Sequence, residues 1–254
     1  MKGIWALLAA LSGLLALQPS AAFAGRPLVT EDAGTVEKGF FELELAFDYS
    51  RDEIRDKNYT PSGQLAYGLT ERAELAVASG YIFKNIHEGG QEDGWGDTIG
   101  YLKYRLWDEG KVYPAFALKP QVKIPTANED KGLGSGRMDY GLTAVFTKCF
   151  EALHLHPANL HFNLGYTFIG EKGATDELNL NLAGEYQVMK GLVAVGEIRS
   201  TQNFNSDRRD DPASILLGLQ VQAGKAMVDA GLNLGLNSAA PDYVFTVGIT
   251  IKFP

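Results

Sequence analysis

The stretch Tyr243-Val244-Phe245-Thr246-Val247-Gly248-Ile249-Thr250-Ile251-Lys252-Phe253 decides the reading of this chain. Tyr243, Phe245, Val247, Ile249, Ile251 and Phe253 hold alternate positions and are all apolar, with Val244, Thr246, Gly248, Thr250 and Lys252 between them. A period of two sends the two sets to opposite faces of a β-strand, and such a strand suits hydrocarbon on one side and water on the other. Phe253 is the terminal aromatic expected of an assembly signal for the barrel-assembly machinery.

The other end of the chain supports export. Lys2 precedes an apolar run from Ile4 to Leu17, and Ala22-Phe23-Ala24 is a small-x-small cleavage pattern, so residues 1–24 are expected to be a cleaved secretory signal peptide. That leaves 254 − 24 = 230 residues starting at Gly25. In them no stretch approaches the roughly 20 apolar residues of a membrane-spanning helix, so a membrane span here calls for a barrel. A single cysteine, Cys149, excludes an intramolecular disulfide. The net charge of −8, or −9 without Lys2, argues against a nucleic-acid partner, because backbone phosphates call for a basic surface.

Upstream of the final strand the same alternation recurs. From Gly39 onward, twelve segments of roughly ten to fourteen residues are separated by Gly, Asp, Asn, Pro and Lys clusters. They fall at 41–49, 59–69, 73–83, 96–106, 114–126, 138–148, 158–169, 178–188, 192–201, 213–223, 226–237 and 243–253. Short connections at 69–72, 107–113, 188–192 and 223–226 alternate with long polar ones at 50–58, 83–95, 126–137 and 201–212. Bacterial outer-membrane barrels show this asymmetry, with the short turns in the periplasm. The expected fold is therefore all-β, a closed antiparallel transmembrane barrel of about twelve strands with both termini periplasmic. Residues 25–38 are expected as a periplasmic segment and 39–254 as the barrel.

Charge tests this reading, since Arg or Lys on a lipid face at the midplane costs on the order of 2–4 kcal/mol while a wet lumen accepts it. With each strand phased by its apolar residues, Glu42, Glu44, Asp48, Glu74, Asp97, Lys103, Arg105, Lys119, Lys123, Asp139, Glu185, Glu197, Arg199, Asp229 and Lys252 take the inward phase. Nine tyrosines (49, 59, 67, 81, 104, 140, 166, 186 and 243) take the outward phase, as girdles require, whereas Tyr101 and Tyr113 do not. Pro114, Pro120 and Pro125 weaken the fifth segment, because proline removes a ladder donor. A soluble lipocalin-like barrel or a β-sandwich also buries an alternating face, but twelve long segments in this length fit either poorly.

The start of the exported chain, Gly25-Arg26-Pro27-Leu28-Val29-Thr30-Glu31-Asp32-Ala33-Gly34-Thr35 with Gly39-Phe40-Phe41-Glu42-Leu43-Glu44, resembles a family of outer-membrane proteins. It is known as the meta-pathway phenol-degradation, or "transporter", family. Tyr67 to Leu75, Gly96 to Leu106, Lys123-Ile124-Pro125-Thr126 and Gly134-Ser135-Gly136 extend the resemblance over nearly all of the exported chain. It implies a channel-like barrel in the outer membrane of a Gram-negative bacterium, with passage of small solutes, hydrophobic or aromatic compounds among them. It implies no active residue.

The lumen-lining candidates are Glu42, Glu44, Asp48, Asp97, Lys103, Arg105, Lys119, Lys123, Asp139, Glu185, Glu197 and Arg199. Lys103, Arg105, Lys119 and Lys123 form a basic strip, and Glu42, Glu44 and Asp48 an acidic one. Opposed strips orient polar solutes as charged rings do in pores, or they pair and plug a twelve-stranded lumen. Cys149, His154 and His156 cluster near a turn and His161 follows, a set that would suit a soft metal, although His-x-His is a loose spacing and an ordinary polar turn accounts for it. Gly132 to Gly136 lacks the Gly-Lys-Ser/Thr ending of a phosphate loop, and Asp93 to Asp97 reads as a turn. Twelve-stranded outer-membrane phospholipases place a Ser-His pair on the outside of the barrel, but the outward phase here offers none, and His87 has no nucleophile beside it. The expectation is thus a conduit or, alternatively, a non-conducting structural or surface-interaction barrel, with no enzymatic activity and no cofactor. Its partners would be outer-membrane lipid, the assembly machinery and a small solute.

Overall fold

The computed structural model describes residues 25–52, 56–86, 89–153, 156–204 and 211–254. The signal-peptide reading, His87 and His154 therefore lie outside the described residues. The strands are β1 (Phe41–Arg51), β2 (Lys57–Thr70), β3 (Ala73–Ile86), β4 (Gly90–Trp95), β5 (Thr98–Trp107), β6 (Ala115–Ile124), β7 (Asp139–Leu153), β8 (His156–Phe168), β9 (Glu177–Met189), β10 (Leu192–Asn203), β11 (Ala213–Ala223), β12 (Ala226–Gly235) and β13 (Tyr243–Phe253). Successive strands pair antiparallel except that β5 pairs with β3 and not with β4, and β1 also pairs with β13 over Phe41↔Phe253 to Arg51↔Tyr243, which closes the barrel.

Thirteen strands make twelve staves. β4 pairs with the far half of β3 (Tyr81↔Trp95 to Ile86↔Gly90), and β5 pairs with its near half (Ala73↔Tyr104 to Ala78↔Ile99), so β4 and β5 are one stave broken at Gly96-Asp97. Residues 83–95, expected as a long loop, are instead mostly ladder. Tyr81 and Trp95 account for the extension, packing edge to face with ring centroids 5.6 Å apart, a contact of the kind that stabilises a cross-strand pair. The breaks at the opposite rim are tight turns. Lys190-Gly191 and Gly224-Lys225 join their strands with glycine φ angles of 78° and 64°, a conformation that side chains resist and hairpin turns demand.

The outward phase carries Leu182, Leu217, Phe245 and similar residues, all exposed on the outside of the wall. Rings collect at both rims. Trp107, Phe116 and Phe146 stack at 4.5 and 4.8 Å toward the short turns, and Tyr49 lies 5.1 Å from Tyr59 and 5.9 Å from Tyr243 toward the long connections. This is the geometry of a membrane-embedded wall, apolar in the middle with aromatics at the interfaces.

The interior holds what the sequence reading missed. Residues 25–38 were expected to stand apart as a periplasmic segment, yet they run inside the barrel. The segment leaves the short-turn rim, where Lys38 bridges to Gly68, and climbs into the lumen. Three small apolar clusters anchor it: Val36 with Ala66, Ala76 and Tyr101; Ala33 with Ala117 and Val145; Leu28 with Ala183, Val195 and Leu216. Burying Leu28 and Val36 is worth about 1.5–3 kcal/mol each, and small inward residues on the strands leave room for them.

Candidate functional site

The N-terminal segment bonds to inward residues around most of the wall. The Arg26 guanidinium donates to Thr246 Oγ1 (2.5 Å) and to the Val247 carbonyl (3.2 Å) on β13, and it faces Asp229 of β12 at 3.5 Å and Asp48 of β1 at 3.9 Å. Gln220 of β11 donates to the Arg26 carbonyl. Glu197 of β10 accepts from Val29 N, Thr30 N and Thr30 Oγ1 (3.2, 2.6 and 2.5 Å). Asn163 of β8 grips the Glu31 backbone at both polar groups. Ala33 N donates to Thr147 of β7, and Val36 N to Glu74 of β3.

Glu31 is the ionic centre. Its carboxylate takes Lys119 at 2.5 Å and Lys103 at 3.2 Å, while Lys103 also meets Glu74 at 3.1 Å and the Lys119 ammonium sits 4.1 Å from the Tyr101 ring centroid. Burial alone would lift the Glu31 carboxyl, but Lys119 and Lys103 outweigh it and hold the group near 2. Its neighbour Asp32 has no ion pair among the described residues, and burial raises it against the pull of Lys103.

Glycine makes the slot for the segment. A β-carbon at Gly218 would stand 2.7 Å from Pro27 Cγ, and one at Gly231 3.1 Å from Pro27 Cβ. These inward glycines sit opposite each other on β11 and β12, and no larger residue fits beneath Pro27 without displacing it.

The segment divides the lumen into two chambers. One, of about 630 Å³, lies toward the short turns and is bordered by Glu42, Gln222, Lys225 and Lys252 together with the segment itself. The other, of about 510 Å³, lies toward the long connections between Ala46, Ala78, Ile82, Ile99 and Leu133, with Asp97 and Lys123 at its edge. Arg26, Glu44 and Gln64 border both chambers. Leu133 arrives there because the connection before β7 folds inward, with Ala127 N bonded to Asp97 and Ser135 to Lys123.

Eleven of the twelve expected lining residues fall in four settings, and the twelfth, Glu185, stands beside His161. Lys103 and Lys119 bind the segment, as does Glu197, which Arg199 approaches to 3.6 Å. Glu42, Glu44 and Asp48 follow one wall, with Glu42 on Lys252 at 3.0 Å. Lys123 lies between Asp139 (2.6 Å) and Asp97 (3.6 Å). Arg105 sits at the short-turn rim on Asp108 (2.9 Å) and the Glu71 carbonyl. The basic and acidic strips therefore do not simply face each other across open water. The segment lies between them, and its Glu31 pairs with Lys103 and Lys119 of the first.

The metal candidates Cys149 and His161 lie apart. Cys149 is exposed near the short-turn rim, where its backbone N–H meets Glu109, whereas His161 is buried in the lumen wall. Its ring bonds Thr147 at 3.0 Å on one side and stands 3.5 Å from Glu185 on the other. Cysteine and this histidine thus do not share a site, and among the described residues no group of His, Cys, Asp or Glu could hold a metal ion. Arg26, Thr30, Glu31 and Asn163 make contacts that the sequence reading did not single out. The signal was present in the glycines at inward positions of β11 and β12.

Closure, a lipid-compatible exterior and a charged interior define a transmembrane β-barrel of the outer-membrane type. More particularly, the chain belongs to the family described as "Putative MetA-pathway of phenol degradation", whose model matches residues 24–253. No curated protein matches the chain by sequence. Its fold is similar to that of an outer-membrane channel from Pseudomonas putida F1, at 17% identity and a TM-score of 0.63 over 87% of this chain and 98% of that one. It is similar also to that of the NanC porin, at 9% identity and a TM-score of 0.57 over 83% and 100% of the two chains.

Proposed function

We propose that this protein is an outer-membrane conduit for small solutes whose N-terminal segment sets the aperture between an outer and an inner chamber. The observation that carries the reading is the pair of cavities, about 510 and 630 Å³, that meet at Arg26, Glu44 and Gln64. Both volumes are of the size that holds a small organic molecule. The long-connection chamber, taken as extracellular because short turns face the periplasm, has an apolar side of Ala46, Ala78, Ile82, Ile99 and Leu133 beside its charged edge. That mixture favours solutes with an apolar body and a polar end, and phenolic compounds are one such class.

We assign the interior no catalysis. Thr147, His161 and Glu185 follow the order of a hydroxyl, imidazole and carboxylate relay. The Thr147 oxygen, however, already accepts from Ala33 N, so the array serves to hold the segment.

Planar-bilayer conductance and liposome swelling, each on the intact barrel and on a variant lacking residues 26–36, test the reading. Small but measurable flux through the intact barrel and a severalfold increase on deletion are expected. Absence of flux in both would establish the non-conducting structural barrel instead.

A further inference from the structure

Charge around the inner chamber is matched almost residue by residue. Lys252 takes Glu42 at 3.0 Å, Arg26 stands between Asp229 (3.5 Å) and Asp48 (3.9 Å), and Lys103 and Lys119 share Glu31 and Glu74. Of the carboxylates bordering it, Asp32 and Glu44 have no ion pair among the described residues, and Asp32 accepts from the Gly34 backbone N–H, which leaves Glu44. It accepts from Gln64 Nε2 at 3.4 Å, but among the described residues no lysine, arginine or histidine comes within ion-pair distance of it. It also shares its strand face with Glu42, two residues away, so a like charge is near while Arg26 and Lys103 stand beyond ion-pair distance, committed to other carboxylates.

Gly25 lies against this carboxylate. A β-carbon built on Gly25 would stand 3.3 Å from Glu44 Oε1, and the Gly25 nitrogen is bonded to the same α-carbon. In the uncut chain that nitrogen is an uncharged amide joined to Ala24. Ala22-Phe23-Ala24 ends at that bond with the small-x-small pattern of a processed leader. Hydrolysis there adds one water: the leader leaves with the Ala24 carboxylate, and Gly25 keeps a primary amine, which is largely protonated at neutral pH.

We propose that the ammonium released on Gly25 by signal-peptide cleavage is the missing cation for Glu44, and that this pair pins the free end of the N-terminal segment in the lumen. The site is selective for one cut. Each residue added or removed shifts the ammonium by up to about 3.5 Å, enough to lose a direct ion pair. Cleavage by the export protease thus does more than detach a leader, because it creates the charge that completes the interior.

The test labels the α-amine of the purified native barrel with an amine-reactive ester at pH 7 and reads the N-terminal peptide by mass spectrometry. The expected peptide begins at Gly25, and its α-amine reacts at least tenfold more slowly in the native protein than in the isosteric Glu44→Gln variant. Should Glu44→Gln not insert, a variant with one serine inserted between Ala24 and Gly25 keeps Glu44 and moves the ammonium, with the same acceleration expected. A mature terminus at another residue, or equal labelling rates in native and altered proteins, overturns the proposal. Both readouts are independent of whether the barrel conducts.

Discussion

Glu31 and Lys103 are separated by 72 positions in the chain and stand 3.2 Å apart in the lumen. The first belongs to a segment without secondary structure and the second to β5, so their meeting fixes the N-terminal segment against the wall. Lys103 is 5% exposed, and a charge so placed needs its partners. Glu31→Ala leaves Lys119 without its carboxylate and Lys103 with Glu74 alone. A loss of about 3–5 kcal/mol in urea-unfolding stability is expected, together with faster proteolysis near residues 26–36. Unchanged unfolding midpoint and cleavage rate would count against this role.

The same pair makes stability depend on pH. Folded Glu31 is held near 2 against an ordinary 4.5, so it releases its proton more readily than it does in the unfolded chain. Its contribution, on the order of 3 kcal/mol, is complete above about pH 4.5 and drains away as the pH falls toward 2. Unfolding midpoints measured down that range should converge for the native protein and Glu31→Gln. Curves that stay parallel would show that the linkage is absent.

Gly231→Leu fills the slot beneath Pro27, where even a β-carbon would come within 3.1 Å. The segment should be displaced while the strand ladders persist, because Gly231 faces the lumen and not a neighbouring strand's outward face. Conductance should rise severalfold with heat-modifiable gel mobility unaltered. A variant that folds and conducts as the native barrel does would show that the slot does not hold the segment.

Lys123 lies between Asp139 and Asp97 at the edge of the long-connection chamber. Its replacement by Gln leaves two carboxylates there and should shift the reversal potential toward cation selectivity. Charge reversal to Glu, which the phase of the strand alone makes look harmless, places a third carboxylate beside those two and should also lower yield. An unaltered reversal potential in Lys123→Gln would place the selectivity elsewhere.

Leu182 and Asn181 are adjacent on β9, and Leu182 is 45% exposed on the outside of the wall. Leu182→Arg puts a cation in lipid at a cost of about 2–4 kcal/mol, whereas Asn181→Arg points into the aqueous interior. Membrane insertion should fall for the first far more than for the second. Equal yields of folded barrel would overturn the assignment of faces.

The contrast between β13 and the N-terminal segment explains what could be read from sequence. A strand whose two faces meet different solvents repeats every second residue, so β13 and its partners were legible down to the inward phase of Glu44, Lys119 and Glu197. Arg26, Thr30 and Glu31 follow no period, because an irregular segment bonds through backbone groups and single side chains to whatever strand it passes. Their partners were legible, but the interaction was not. The break at Gly96-Asp97 escaped for a related reason, since half of its stave pairs beyond the hairpin that the alternation suggested. Leu133 escaped too, because a loop that folds inward carries no pattern that sets it apart from one that does not.

The contacts of residues 26–36 also imply a chronology. Their partners are spread from β1 to β13, and the β1–β13 seam joins the first strand made to the last. Arg26 cannot meet Asp48 and Asp229 together until that seam has formed. The Arg26 contacts, near the start of the described chain, are therefore completed only with the join between its first and last strands, so they report a finished cylinder.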